Sequence, residues 1–220
     1  MTAGQLAPAG VRVGVQFYPQ HTSFDALRGA WLAADALGVD SLFSCDHLMP
    51  LTGDLDGSYF EGWMTLAAIA PRTRAPVVGC LVSCMGYRNP NLLANMANTL
   101  QHALGGRLVL GLGAGWVQRE YDAYGYEFGT PATRLRTLEA GLQTIRARLS
   151  VIQPRPLGDG IPILIGGSGE RVTLRLAAQY ADLWHGGGAP ELFGHKCRVL
   201  DDWCRRVGRE PGAATSSMAT

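Results

Sequence analysis

Two histidines and two glycine clusters hold most of the chemistry that this 220-residue chain could perform. His47 follows Asp46 in "SCDHLMP", directly after the apolar run "VDSLFS" at 39–44. An imidazole changes charge near neutral pH, so a strand-end His can act as acid, base or hydrogen-bond donor. It can equally be a polar loop residue that ties the strand end down. His185 follows Trp184 in a similar setting, whereas His102 and His195 fall on helical patterns and read as surface residues. "GLGAGW" at 111–116 lacks the G-x-G-x-x-G spacing and sits on the fourth apolar run, which argues against a dinucleotide fingerprint. Its glycines let a flat ligand or a loop approach the backbone, or they form a tight turn without a ligand.

"IPILIGGSGE" at 161–170 is the other cluster. Free N–H groups and the dipole at a helix start favour an anion, so the stretch reads as a phosphate cradle. Ser168 can cap the helix or donate to a phosphate. Glu170 suits the dipole but would repel a phosphate it faced. A glycine-rich cap with no ligand would carry the same letters. No Lys follows the glycines, so a P-loop is excluded. No G-x-S-x-G elbow and no H-E-x-x-H occurs, leaving hydrolase and zincin readings without support. Cys80 and Cys84 are four apart with no further ligands to complete a zinc pattern, so no metal site is expected.

These residues need positioning elements, and the apolar patterning supplies them. Apolar runs at 11–17, 39–44, 76–84, 107–113, 161–167 and 181–187 alternate with helical spacing. Phe24, Leu27, Trp31, Ala34 and Leu37 fall on one helical face, with Ser23 as N-cap and Gly38 as stop. Further helices are expected at 61–70, 91–104, about 134–149, about 170–180 and from Phe193 to Val207. Strands that are apolar throughout, separated by helices, mean a parallel sheet covered by helices. An open doubly wound sheet and a (β/α) barrel both fit. The six units fall short of the eight that close a barrel. In either case the ligand site lies at the carboxyl ends of the strands, where His47, Trp116, Ser168 and His185 stand.

Bulk composition sets the outer limits. With 47% hydrophobic and 17% charged residues, the chain is a globular protein with a buried core. A net charge of +1 gives no field favouring nucleic acid, and no apolar run approaches a membrane span. Residues 1–10 have no secretion signal pattern and read as a disordered arm; residues 213–220, small and polar, read as a disordered tail. Five cysteines without a signal point to reduced thiols in a cytoplasm.

Taken in order, "SCDHLMP", the stretch from Val78 through "SCMGYRNPNLLANMANTLQHALGGRLVLGLGAGW", "REYDAYGYEF", "IPILIGGSGERVTLRLAAQYADLWH" and "CRRVGREP" resemble the luciferase-like monooxygenase superfamily. The nearest likeness is to its coenzyme F420-dependent oxidoreductases, over roughly residues 11–212. The resemblance implies a TIM (β/α)8-type barrel, here ending after about six β/α units. It implies an enzyme that moves hydride between F420 and a small organic substrate. FMN-dependent monooxygenase chemistry, or an inactive remnant, is the alternative. It also implies that His47 acts at the reacting centre. The remaining implied contacts to the cofactor are Asp46, a non-proline cis peptide at Cys80–Leu81 behind the ring, Gly113, Ala114, Gly115 and Trp116 beside it, and Gly166, Gly167, Ser168 and Gly169 around its phosphate. Some F420 relatives carry a catalytic Glu where Trp116 stands, which argues against sugar-phosphate dehydrogenase chemistry. The family often dimerises, so a homodimer is the implied assembly.

Overall fold

The computed structural model describes residues 12–219, so the arm expected at 1–10 lies outside the described residues. Seven strands form one sheet in the order β1-β2-β3-β4-β5-β6-β7, and every neighbouring pair is parallel. They are β1 Gly14–Phe17, β2 Ser41–Ser44, β3 Val77–Cys84, β4 Leu108–Gly113, β5 Ile163–Gly166, β6 Leu183–Gly187 and β7 Thr215–Ala219. The helices are α1 Phe24–Ala36, α2 Gly62–Ile69, α3 Pro90–Ala103, α4 Gln118–Tyr124, α5 Pro131–Leu149, α6 Thr173–Tyr180 and α7 Pro190–Arg206. A doubly wound sheet reverses its strand order at a switch point. This sheet never reverses. Right-handed crossovers that always step the same way place their helices on one face, and this is barrel winding.

Local sequence accounts for the helix boundaries. Ser23 caps α1 by accepting from the Ala26 N–H at 3.2 Å, and Gly38 stops it with φ +77°. Asn89 and Thr130 cap α3 and α5, each followed by a Pro in the first turn. The core between sheet and helices runs from Leu27, Trp31 and Leu42 through Leu110, Leu142 and Ile165 to Trp184 and Cys204. Among the described residues, no helix is long and apolar enough to cross a membrane.

Three expectations change. The tail expected to be disordered from 213 instead carries β7, which pairs with β6 from Leu183↔Thr215 to Gly187↔Ala219. A short, mostly polar run gives little apolar signal for a strand, and here the open edge of β6 supplies the ladder. The helix expected from about 170 begins at Thr173, after a turn. Finally, α4 is an additional helix between β4 and α5.

Candidate active site

The carboxyl ends of β1 to β6 open into a cleft of about 450 Å³. Its floor is set by a break in β3. The register with β4 shifts between Cys80 and Ser83, and the Leu81–Val82 peptide is cis. The cis bond thus lies one residue later than the Cys80–Leu81 position that the resemblance implied. The Leu81 carbonyl accepts from Gln16 Nε2 on β1. Cys80 itself is buried and does not line the cleft, whereas Leu81 and Val82 do. The Val82 side chain lies over glycines of the next two strands in the sheet, β4 and β5. A Cβ at Gly113 would stand 2.7 Å from Val82 Cγ2, and one at Gly166 would stand 2.9 Å from Cγ1. No side chain fits at either position without displacing Val82.

One wall is a hydrogen-bonded network. His47 follows β2 and directs Nδ1 at Glu120 Oε2, 2.9 Å away. Glu120 lies on α4, and its side chain is fully buried. It also accepts from Tyr87 Oη at 2.5 Å and from the Leu48 and Met49 N–H groups at 2.6 and 3.1 Å. Burial alone would push this carboxyl up. The hydrogen bonds from His47, Tyr87 and Leu48, with the His47 charge, outweigh it and hold the group below the usual range. An ionised Glu120 accepts only, so His47 keeps its proton on Nδ1 and Nε2 is left for other partners. Asp46, next in the chain, also lines the cleft, but its carboxylate oxygens turn to protein partners. Its carboxylate is held bidentately by Arg88 at 2.7 and 2.8 Å and accepts from the Cys84 N–H at 3.0 Å. Arg88 also pairs with Glu61, the N-cap of α2.

The β4 loop completes that wall. Gly113, Ala114, Gly115 and Trp116 all line the cleft. Gly115 has φ +80°, and a Cβ there would run into Tyr121 Oη and stand 2.5 Å from Cys84 Sγ. Its carbonyl accepts from Arg134 Nε at 3.1 Å. Trp116 is 68% exposed and meets His47 edge-on, with ring centroids 5.9 Å apart.

The opposite wall is mostly backbone. Gly166 and Gly167 line the cleft, whereas Ser168 and Gly169 lie beyond it on the exposed turn. Gly167 has φ +125°, a conformation for which glycine is suited, and its carbonyl accepts from Trp184 Nε1 at 2.8 Å. Ser168 does not cap α6; the residue before the helix is Val172, with no side-chain cap. Glu170 turns outward, towards Lys196 at 2.6 Å and His195 at 3.0 Å on α7. The acid therefore does not point at an anion held on this turn. His185 also lines the cleft. Its Nδ1 lies 3.0 Å from Ser217 Oγ on β7, and burial lowers its pKa. Among the described residues no acid, His or Cys group is arranged to hold a metal ion.

The structure brings Asp46, His47, Leu81, the Gly113–Trp116 loop, Gly166 and Gly167 to one cleft. It leaves Cys80, Ser168 and Gly169 off the lining, and it commits the Asp46 carboxylate to Arg88. Glu120 and Tyr87 are additions that sequence reasoning did not single out. The available signal was an acid in the first turn of a helix directly after the β4 loop.

The chain spans 57% and 65% of two curated relatives, both F420-dependent glucose-6-phosphate dehydrogenases. The one from Microbacterium testaceum is 30% identical over 80% of this chain, and the one from Nakamurella multipartita is 29% identical over 93%. Among solved structures, an F420-dependent secondary alcohol dehydrogenase in complex with an F420-acetone adduct superimposes with a TM-score of 0.83. It is 19% identical, over 94% of this chain and 68% of its own. An FMN complex of the oxygenating constituent of 3,6-diketocamphane monooxygenase from Pseudomonas putida superimposes with a TM-score of 0.74 and 17% identity, over 94% of this chain and 66% of its own. The family model described as luciferase-like monooxygenase matches residues 1–219, and the chain belongs to that family.

Proposed function

We propose that this chain carries the cofactor cleft of an F420-dependent oxidoreductase that moves hydride between the deazaflavin and a small organic substrate. The observation that supports this reading most is the His47–Glu120 pair, set into one wall of a cleft with an apolar floor. The residues present fit a flat ring with an anionic tail. Val82, over Gly113 and Gly166, gives a floor free of other side chains. Gly166 and Gly167 give a wall of backbone, and the acid of that turn is held away on α7. In this reading Leu81 and the Gly113–Gly115 backbone border the ring, with Cys80 beneath. Gly166, Gly167, Ser168 and Gly169 surround the anionic tail. Asp46 acts at one remove, by fixing Arg88 and the Cys84 N–H.

Once bound, the deazaflavin supplies the two-electron chemistry. The chain's own residues handle the proton. His47 Nε2 is free to take a proton from a substrate hydroxyl as it becomes a carbonyl, or to return one in the reverse direction. Glu120, ionised and 2.9 Å from Nδ1, stabilises the imidazolium so formed and holds the ring's orientation.

The test is a fluorescence titration of the purified protein with F420 and, separately, with FMN. Micromolar F420 binding is the expected result. Tight FMN binding with no F420 binding would replace this reading with an FMN-dependent monooxygenase. In turnover assays His47→Ala is expected to lower kcat by 10²-fold or more, in the usual range for acid–base groups, with little change in F420 affinity. Unchanged turnover would remove His47 from the chemistry.

A further inference from the structure

Most tryptophans of this protein are tucked in. Trp31, Trp63 and Trp184 are buried, and Trp203 donates Nε1 to the Glu170 carbonyl while Arg206 lies over its ring. Trp116 alone among the five leaves most of its ring in water, and it does so at the mouth of the cleft. Its backbone is not loose. Gly115 before it is locked between Tyr121, Cys84 and the Arg134 guanidinium, and the His47 ring meets the indole edge-on. A large apolar ring standing in solvent beside a cleft marks a binding surface.

The charges around that ring indicate what can lie on it. Arg88 is taken up by Asp46 and Glu61. Arg119 donates to the Leu55 and Pro50 carbonyls, and Arg134 to Gly115, Phe128 and Gly129 while stacking on the Phe128 ring. Arg88 is thus neutralised; Arg119 and Arg134 keep their charge but turn these N–H groups to carbonyls, and among the described residues no Arg or Lys lines the cleft. The His47–Glu120 pair carries one net negative charge, or none when His47 is protonated, so it gives an anion no attraction. Tyr18 and Leu51 add apolar surface to the same lining.

Building on the oxidoreductase reading, we propose that Trp116 is the substrate-selecting side chain. It takes an uncharged alcohol or ketone with a planar or alicyclic apolar group, packed on the indole with its oxygen towards His47. Phosphorylated sugars are not accepted at this position.

Isothermal titration calorimetry in the presence of excess F420 tests this, with acetophenone and glucose 6-phosphate as probes. Wild-type protein is expected to bind acetophenone and to show no heat with glucose 6-phosphate. Trp116→Ala should weaken acetophenone binding about 10-fold, while Trp116→Phe, which keeps an aromatic face, should lose less than about 3-fold. Because Trp116 is mostly exposed, thermal melts of both variants should match wild type. Equal acetophenone affinity in Trp116→Ala, no acetophenone binding to wild type, or tighter binding of glucose 6-phosphate than of acetophenone would each overturn the assignment. The F420 titration stands apart from this contrast. If F420 fails to bind while the Trp116 contrast holds, the cofactor reading falls and the substrate assignment stands.

Discussion

The two walls of the cleft are built in opposite ways. On the β2–β4 side, His47, Glu120, Tyr87, Asp46, Arg88 and Cys84 are joined by side-chain hydrogen bonds, and two of the acids are fully buried. On the β5–β6 side, Gly166 and Gly167 offer backbone, and Ser168 and Gly169 are exposed. Orienting a proton-transfer group needs a fixed ring and a fixed tautomer, and buried partners supply both. Receiving an anion needs N–H dipoles and close approach, which a side chain would obstruct. The price of the first design is stability at risk whenever one partner is lost; the second design risks little stability and much affinity.

Glu120→Ala should break this contrast most severely. It leaves Tyr87, His47 and two backbone N–H groups without their acceptor, and loses about 3–5 kcal/mol in urea unfolding. A loss below 1 kcal/mol would mean that the network contributes little. The acid response has a defined sign. The folded Glu120 pKa lies below its unfolded value of about 4.3, so its contribution is present above that pH and disappears as pH falls through the folded pKa. Glu120→Gln should flatten stability against pH below about pH 4; an unchanged slope there would assign the acid sensitivity elsewhere. Gly115→Ala should cost about 2–3 kcal/mol, because the new methyl meets Tyr121 and Cys84 on a backbone at φ +80°. Asp46→Asn should cost about 2 kcal/mol by weakening the Arg88 pair, read as a shift in urea midpoint at constant slope.

On the backbone wall the expected effects move from stability to binding. Gly167→Asp should weaken F420 binding about 10-fold or more, through charge repulsion and crowding at φ +125°. Affinity equal to wild type would remove the anion from this turn. Ser168→Ala should change unfolding free energy by less than about 0.5 kcal/mol, since the side chain is exposed. A larger change would give Ser168 a structural role and narrow the difference between the walls.

Much of the frame was legible because burial writes itself into apolar runs and helical spacing. The Leu27–Trp31–Ala34 face, the Ser23 cap and the Gly38 stop of α1 follow from local letters, and so does the gathering of His47, Trp116 and Gly167 at strand ends. Glu120 was not legible. In "QREYDAY" it resembles a solvated helix acid, and its main partner is 73 residues away. Strand β7 was missed for a related reason: the short run from Thr215 carries little apolar pattern of its own and becomes a strand through pairing with β6. Asp46 shows the converse. The resemblance implied its place at the cleft, which it lines, and only the position of Arg88 explains where its carboxylate goes.

Val82 rests in the space that Gly113 and Gly166 leave open, so the depth available to a guest is decided by residues on three separate strands acting together. Enlarging either glycine would lift the valine and make the chamber shallower without altering any group that performs chemistry. Shortening the valine would deepen it. Variation in what this scaffold admits can therefore arise beneath the ring, from positions that a search confined to polar residues would pass over.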